Sequence, residues 1–167
     1  MKTKLENTPT KTRTFDPTAS IKRARKGSHT WNIALRYNKY GWSTKMDRVA
    51  VIRNKLPYEA IEVISKRANL PVKHVLNWFG VPQTTYNKKK KEKGLLSVRD
   101  SELVVVLAEL FDYGQEVFND EKGKFHRWLI KTNPSLGGVS PESLFDSLTG
   151  VQEVRNCLNR IEFGHLA

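Results

Sequence analysis

After residue 56 the apolar positions recur at helical spacing. Ala60, Ile61, Ile64 and Ala68 share a face behind Pro57, which reads as a first helical residue, so the spacing predicts a helix over roughly 57–69. Pro71 opens the next, with Val72, Val75, Leu76 and Phe79 inward and Gly80 closing it. Pro82 opens a third, which runs from Gln83 through Tyr86 into four lysines, Lys88–Lys91, before Gly94. Ser97 and Asp100 have capping-box spacing ahead of the longest helix, where Leu103, Leu107, Leu110, Gly114 and Val117 form a 4-3-4-3 stripe beside Phe111 and Phe118. Phe125, Trp128 and Leu129 mark a short helix ended by Asn133-Pro134. Ser140-Pro141 reads as an N-cap and first helical residue, and Thr149 with Gln152 as a further capping box. The last helix then puts Val151, Val154, Leu158 and Ile161 on one face.

Upstream the pattern changes. Residues 1 to about 26 are rich in Lys, Arg and Thr, with Phe15 and Ile21 the only large apolar side chains among Phe, Ile, Val, Trp and Tyr, and are expected to be disordered. Trp31, Ile33, Leu35 and Tyr37 then alternate as in a short strand, interleaved with Arg36 and Lys39. Such basic and aromatic interleaving serves either packing against a domain or contact with nucleic acid. No long strand run competes with the helices, and no internal repeat at solenoid spacing is visible.

Charge divides the chain. Of the 29 Lys+Arg and 17 Asp+Glu, residues 1–45 hold 11 basic against 2 acidic, 46–96 hold 11 against 4, and 97–167 hold 7 against 11. Two basic segments followed by an acidic one point to a polyanion-binding part joined to a part with another job. The 167 residues, 38% apolar with four Trp, suffice for one domain or two small ones. A single cysteine, Cys157, excludes an internal disulfide framework. Met1-Lys2-Thr3-Lys4 leads into polar sequence with no apolar leader and no run approaches a membrane span, so a cytoplasmic protein without a membrane partner is expected.

Catalytic chemistry finds no foothold. His29, His74, His126 and His165 are scattered without Cys or carboxylates at ligand spacing, and there is no Gly-x-Ser-x-Gly, P-loop or dinucleotide fingerprint. Gly137-Gly138 reads as a turn, and His126 beside Trp128 as a satisfied core or surface histidine rather than a base. No catalytic residue, metal or cofactor is expected.

A helix from Pro71, a glycine turn at Gly80 and a helix from Pro82 outline a helix-turn-helix. Val75, Phe79, Val81 and Tyr86 would hold the pair together. Gln83, Thr84, Thr85 and Asn87 would meet base edges, and Lys88, Lys89 and Lys90 phosphates. The segment Gly80-Val81-Pro82-Gln83-Thr84-Thr85 resembles the Gly-x-x-Gln-x-[Ser/Thr] lead of recognition helices in Xre-class repressors, with Leu76 departing from the Ala usual at the close approach of the two helices. The expected fold class is all-α: a basic flexible arm over 1–45, a helix-turn-helix domain over 46–96 and a small helical domain over 97–167.

The last segment carries a second resemblance. Trp128-Leu129, Asn133-Pro134, Leu136-Gly137-Gly138, Pro141, Leu144-Phe145, Gly150 and Leu158-Asn159-Arg160-Ile161-Glu162-Phe163-Gly164 are similar, in order and spacing, to the toxin-binding domain of Xre/MbcA/ParS antitoxins, which pair with RES-domain toxins. One departure is Leu103, standing where the family commonly has Arg after Asp100-Ser101-Glu102. The resemblance implies a non-enzymatic antitoxin that blocks an NAD-degrading toxin and represses its own operon by binding operator DNA. It also implies a homodimer, expected through the Leu103–Val117 stripe or the surfaces flanking it. Toxin contact would fall to Arg160, Glu162, Phe163, Gly164, His165, Leu166 and Ala167. The rival reading is a stand-alone helix-turn-helix transcription or partition regulator, which would need no toxin partner.

Overall fold

The structure, a computed structural model, describes residues 30–164. The basic segment read as disordered over 1–26, and His165, Leu166 and Ala167 of the expected toxin contact, lie outside the described residues. The described residues open on an antiparallel hairpin of β1, Trp31–Ala34, and β2, Lys39–Trp42, in which Trp31 pairs with Trp42 and Ala34 with Lys39. Alternation holds within the strands, where Ile33 and Trp42 are buried while Ala34, Lys39 and Gly41 face out, but the strand ends at Ala34 and Tyr37 lies exposed in the turn rather than continuing it.

Seven helices follow. The first, α1, Lys45–Arg53, starts at a capping box: Thr44 Oγ1 accepts from the Asp47 N–H at 3.1 Å and the Asp47 carboxylate from the Thr44 N–H at 3.1 Å. Next come α2, Ala60–Ala68, α3, Val72–Phe79, and α4, Gln83–Lys91. The long α5, Val98–Val117, is capped by Ser97 as its spacing predicts, and is followed by α6, Lys122–Ile130. Two short 3-10 turns, Pro134–Leu136 and Pro141–Leu144, lead to α7, Leu148–Glu162. The fold is helical, a helix-turn-helix part followed by a C-terminal helical part, with the hairpin as a small addition.

Two helix starts differ from expectation. Pro57 does not open α2; it pairs in a bridge with Leu95, while Leu56 N–H donates to the buried Ser101 hydroxyl at 3.0 Å and Tyr58 N–H to the Gly94 carbonyl at 3.2 Å. Pro57 pairs with the segment entering α5, a turn at Tyr58 and Glu59 follows in which Ala60 N–H donates to the Pro57 carbonyl at 2.9 Å, and the helix begins at Ala60. Likewise α7 is capped by Ser147, whose hydroxyl accepts from Gly150 N–H at 3.0 Å, rather than by Thr149 with Gln152. Gly150 lies against the turn before it, where a Cβ would stand 2.1 Å from the Leu144 carbonyl oxygen.

The core is built around α5. Leu103, Val104, Val105, Leu107, Ala108, Leu110 and Phe111 are all buried, so apolar burial extends well beyond the single 4-3-4-3 stripe. The hairpin, α1 and α2 pack against this helix, as do α6 and α7. Its neighbour α7 runs in the same direction: Arg99 near the start of α5 donates to the Asp146 carbonyl at 2.9 Å, and Tyr113 near its end meets Asn159 and Glu162. Leu103, Leu107, Leu110 and Val117 are thus enclosed within the single chain. The expectation that the stripe itself mediates self-association is corrected, and only the flanking surfaces are available for it. Among the described residues no helix is long and apolar enough to cross a membrane.

Gly114 explains how α6 comes so near. A Cβ there would stand 2.2 Å from the Phe125 ring, itself buried against Phe111, Phe118 and Trp128. Gly-to-Ala in a helix ordinarily stabilises by about 1 kcal/mol. Here the sign reverses: Gly114→Ala is expected to destabilise by about 1–3 kcal/mol through overpacking, read as a lower midpoint in urea unfolding with an unchanged m-value.

Candidate nucleic-acid and partner interfaces

The turn between α3 and α4 is made by Gly80 at φ +62°, with Gly80 N–H donating to the Asn77 carbonyl at 3.2 Å and Val81 N–H to the Leu76 carbonyl at 3.1 Å. A left-handed residue at this point lets the chain leave α3 and start α4 within three residues. Val75, Phe79 and Tyr86 are buried and Val81 half-buried, as expected of a pair held by its inner face. Leu76 is only 2% exposed, so the bulkier side chain is absorbed into the core.

What fixes the rotation of α4 is a carboxylate on α2. The Tyr86 hydroxyl donates to Glu62 Oε1 at 2.9 Å, and the Lys90 ammonium pairs with the same oxygen. Burial raises the Tyr86 pKa above the ordinary phenol value, and the bond to Glu62 adds to the rise. Burial pushes the Glu62 carboxyl up as well, but Lys90 and Tyr86 together outweigh it and hold the group below its usual range. With Tyr86 and Lys90 turned inward, about 100° per residue puts Thr84, Thr85, Lys88 and Lys91 on the outer side, Asn87 and Lys89 on its flanks, and Gln83 at the exposed first turn on the Tyr86 side.

Gln83, Thr84, Thr85, Asn87, Lys88 and Lys89 are all exposed, and Gln83 Nε2 donates to Asn87 Oδ1 at 3.1 Å, which orients both amides. Lys90 departs from the expected row because Glu62 claims its ammonium. Lys91 takes its place on the outer face, a position that only the helical phase reveals. Glu62 had no local signal at all, since it lies 24 residues from Tyr86.

At the other end, α7 buries Val151, Val154, Cys157 and Leu158, with Ile161 half-buried. Its last turn is tied to α5 by Tyr113, whose hydroxyl shares its one proton between Asn159 Oδ1 at 2.5 Å and Glu162 Oε2 at 2.6 Å. The Arg155 guanidinium lies 5.3 Å from the centre of the same ring. Burial raises the Tyr113 pKa, and the Glu162 carboxylate raises it further. Glu162 therefore faces the fold, Arg160 is half-buried, and Phe163 is 62% exposed just before Gly164 turns the chain at φ +71°. Tyr113 lies outside the C-terminal motif, and Asn159, though within it, carries no role that the sequence alone assigns.

The remaining motif residues build the scaffold beneath this end. Asn133 accepts from Ser135 N–H at 2.8 Å and its carbonyl from Gly138 N–H at 3.0 Å, which closes the Leu136-Gly137-Gly138 turn. Phe145 is buried edge-on to Trp78 of α3 at 5.0 Å and to Phe111 of α5 at 5.7 Å. Beside it, His74 Nε2 lies 2.9 Å from Glu142 Oε2, a second bridge from α3 to the turn ahead of α7. His126 is a structural histidine, its Nδ1 3.1 Å from the Ala68 carbonyl.

The family model of the antitoxin Xre-like helix-turn-helix domain matches residues 47–109, and that of the antitoxin Xre/MbcA/ParS C-terminal toxin-binding domain matches residues 114–164. Among curated relatives, an antitoxin Xre of Photorhabdus laumondii is 26% identical over 115 residues, covering 69% of this chain and 78% of its own. An antitoxin Xre of Yersinia enterocolitica is 27% identical over 106 residues, covering 64% and 72%. A Prs ADP-ribosylating antitoxin of Sphingobium is 26% identical over 153 residues, covering 86% and 96%. The two matched segments lie in the order in which the structure places a helix-turn-helix and a C-terminal helical part, and the chain belongs to the Xre/MbcA/ParS antitoxins of toxin–antitoxin systems.

Proposed function

We propose that this antitoxin binds and blocks a RES-domain toxin that consumes NAD, and that it represses its own operon by binding DNA through α4. The observation that carries the toxin half is the match to a toxin-binding domain over 114–164, whose end coincides with the exposed Phe163-Gly164 at the close of α7. The name of the Sphingobium relative joins that protein to ADP-ribosylation. NAD is the donor in that reaction, which supports a toxin of NAD chemistry here.

In this reading α7 is a mount. Its buried face and the Tyr113 tie hold the last turn in place, so presenting Arg160, Phe163 and Gly164 to the toxin costs little ordering, and His165, Leu166 and Ala167 follow them in sequence. Glu162 contributes by holding the tail through Tyr113. The antitoxin acts by occupying the toxin rather than by catalysis, in the cytoplasm where the operator and the toxin are both found.

On DNA, Gln83 suits bidentate pairing with adenine and the Thr84 and Thr85 methyls suit thymine, with Asn87 beside them. Lys88, Lys89 and Lys91 supply phosphate contacts. A homodimer through the surfaces beside the α5 stripe, where Leu95 and Val98 are exposed, would match a palindromic operator.

Three variants test these roles. In fluorescence anisotropy, replacing Lys88, Lys89 and Lys91 by Ala is expected to weaken binding to every duplex and to reduce the salt slope by about 3. Gln83→Ala is expected to cost about 1–3 kcal/mol of discrimination at one base pair. An unchanged slope in the lysine variant would put the DNA elsewhere on the protein. Deleting Gly164 to Ala167 is expected to abolish rescue of cells expressing the toxin from the adjacent reading frame, at matched antitoxin abundance, with the circular dichroism and operator binding retained. Full rescue by the truncated chain would refute the role given to the tail.

A further inference from the structure

The hairpin Trp31–Trp42 lies outside both matched family segments, yet it is firmly held. Trp42 Nε1 donates to the buried Glu109 carboxylate at 2.8 Å, Arg67 Nη2 donates to the Asn32 carbonyl at 2.6 Å, and Ile33 is fully buried. The basic and aromatic residues that interleave along this stretch separate into two sets. Ile33 and Trp42, with the half-buried Trp31, Leu35 and Tyr40, pack against the core. Arg36, Tyr37 and Lys39 are exposed at and beside the tip, where Leu35 N–H and the Asn38 carbonyl close a two-residue turn at 2.8 Å.

Tyr37 is 83% exposed, the highest of the large apolar side chains among the described residues, and the Arg36 guanidinium sits 5.2 Å from its ring centre. An aromatic ring stacked with a cation, and a lysine beside it, is a poor arrangement for packing against an apolar partner. It suits a sugar-phosphate backbone, to which Arg and Lys donate and along which a tyrosine can lie. The 29 residues leading into the hairpin strengthen the field, with 8 basic side chains against 2 acidic.

We propose that the hairpin tip, through Arg36, Tyr37 and Lys39, is a second DNA-contacting element that grips the backbone beside the site read by α4. The inference rests on the DNA-binding reading of α4. Reach in distance is sufficient, because α2 holds both elements, Arg67 anchoring the hairpin and Glu62 anchoring α4 from faces of that helix about 140° apart, so the duplex has to pass around α2 to meet both. These two residues are separated by about 7.5 Å of helix rise. The tip lies at most about 17 Å of strand beyond Asn32. A duplex of about 20 base pairs is roughly 68 Å long and spans both elements.

The test uses the full chain, a duplex from upstream of its own gene and a scrambled duplex of equal length. Arg36→Ala with Lys39→Ala is expected to weaken binding to both duplexes by the same factor, about three- to tenfold near physiological salt, and to reduce the salt slope by about 2. Tyr37→Ala is expected to weaken both without changing the slope. Lys122→Ala with Lys131→Ala, two exposed lysines of the α6 region, serves as the control for net charge and is expected to leave binding as it was. Equal losses in the control, or no loss in the hairpin variants while the Lys88, Lys89 and Lys91 variant loses affinity, would overturn the hairpin proposal alone. Failure of the unaltered chain to bind either duplex would overturn the DNA-binding reading together with it.

Discussion

A helix that is apolar on most of its circumference has to be enclosed, and α5 is such a helix. Leu103, Val104, Val105, Leu107, Ala108, Leu110 and Phe111 leave little of its middle fit for water. The hairpin, α1 and α2 supply one part of the enclosure, α6 and α7 another. The helix-turn-helix match ends at residue 109 and the toxin-binding match begins at 114, so both stop inside α5, and the two parts share a single core. The Phe145 ring, between Trp78 and Phe111, and the His74–Glu142 contact add a direct brace between α3 and the turn ahead of α7.

Around that core, charged groups set orientation where apolar packing is indifferent to it. A row of four lysines carries no phase of its own. Glu62 supplies the phase by claiming Lys90 and Tyr86, which leaves Thr84, Lys88 and Lys91 outward. Tyr113 does the same at the last turn of α7, where helices ordinarily fray. Glu109 holds both the Trp42 indole and, at 3.5 Å, the Arg48 guanidinium, so the hairpin and α1 are referenced to the same point on α5. Each device places a buried or half-buried carboxylate against donors from a different element, which makes the orientation costly to change.

Much of the toxin-binding motif works as scaffold. Leu136-Gly137-Gly138 closes a turn, Phe145 fills the seam, Leu158 packs in the core and Gly150 permits a backbone approach that no side chain allows. Only the residues from about Arg160 onward reach the surface at the end of α7. A pattern dense in Gly, Pro and Asn therefore identifies the family chiefly by the turns it needs.

The helical class, the break at Gly80 between α3 and α4, the cap at Ser97 and the C-terminal motif are legible in the linear order of residues, because each is set by residues within a few positions of one another. Helical period, turn conformation and capping are local properties, and they survive being read without a partner in view. Tertiary structure decided what depends on distant pairing. It placed Pro57 in a bridge with Leu95 and started α2 at Ala60, and it capped α7 with Ser147 so that the helix starts at Leu148. It turned Lys90 inward and Lys91 outward through Glu62, tied Glu162 to Tyr113, and divided the aromatic and basic residues of the hairpin between core and solvent. A side chain's direction is fixed by the donor, acceptor or ring that meets it, and across 24 to 67 residues of chain only the fold brings those together.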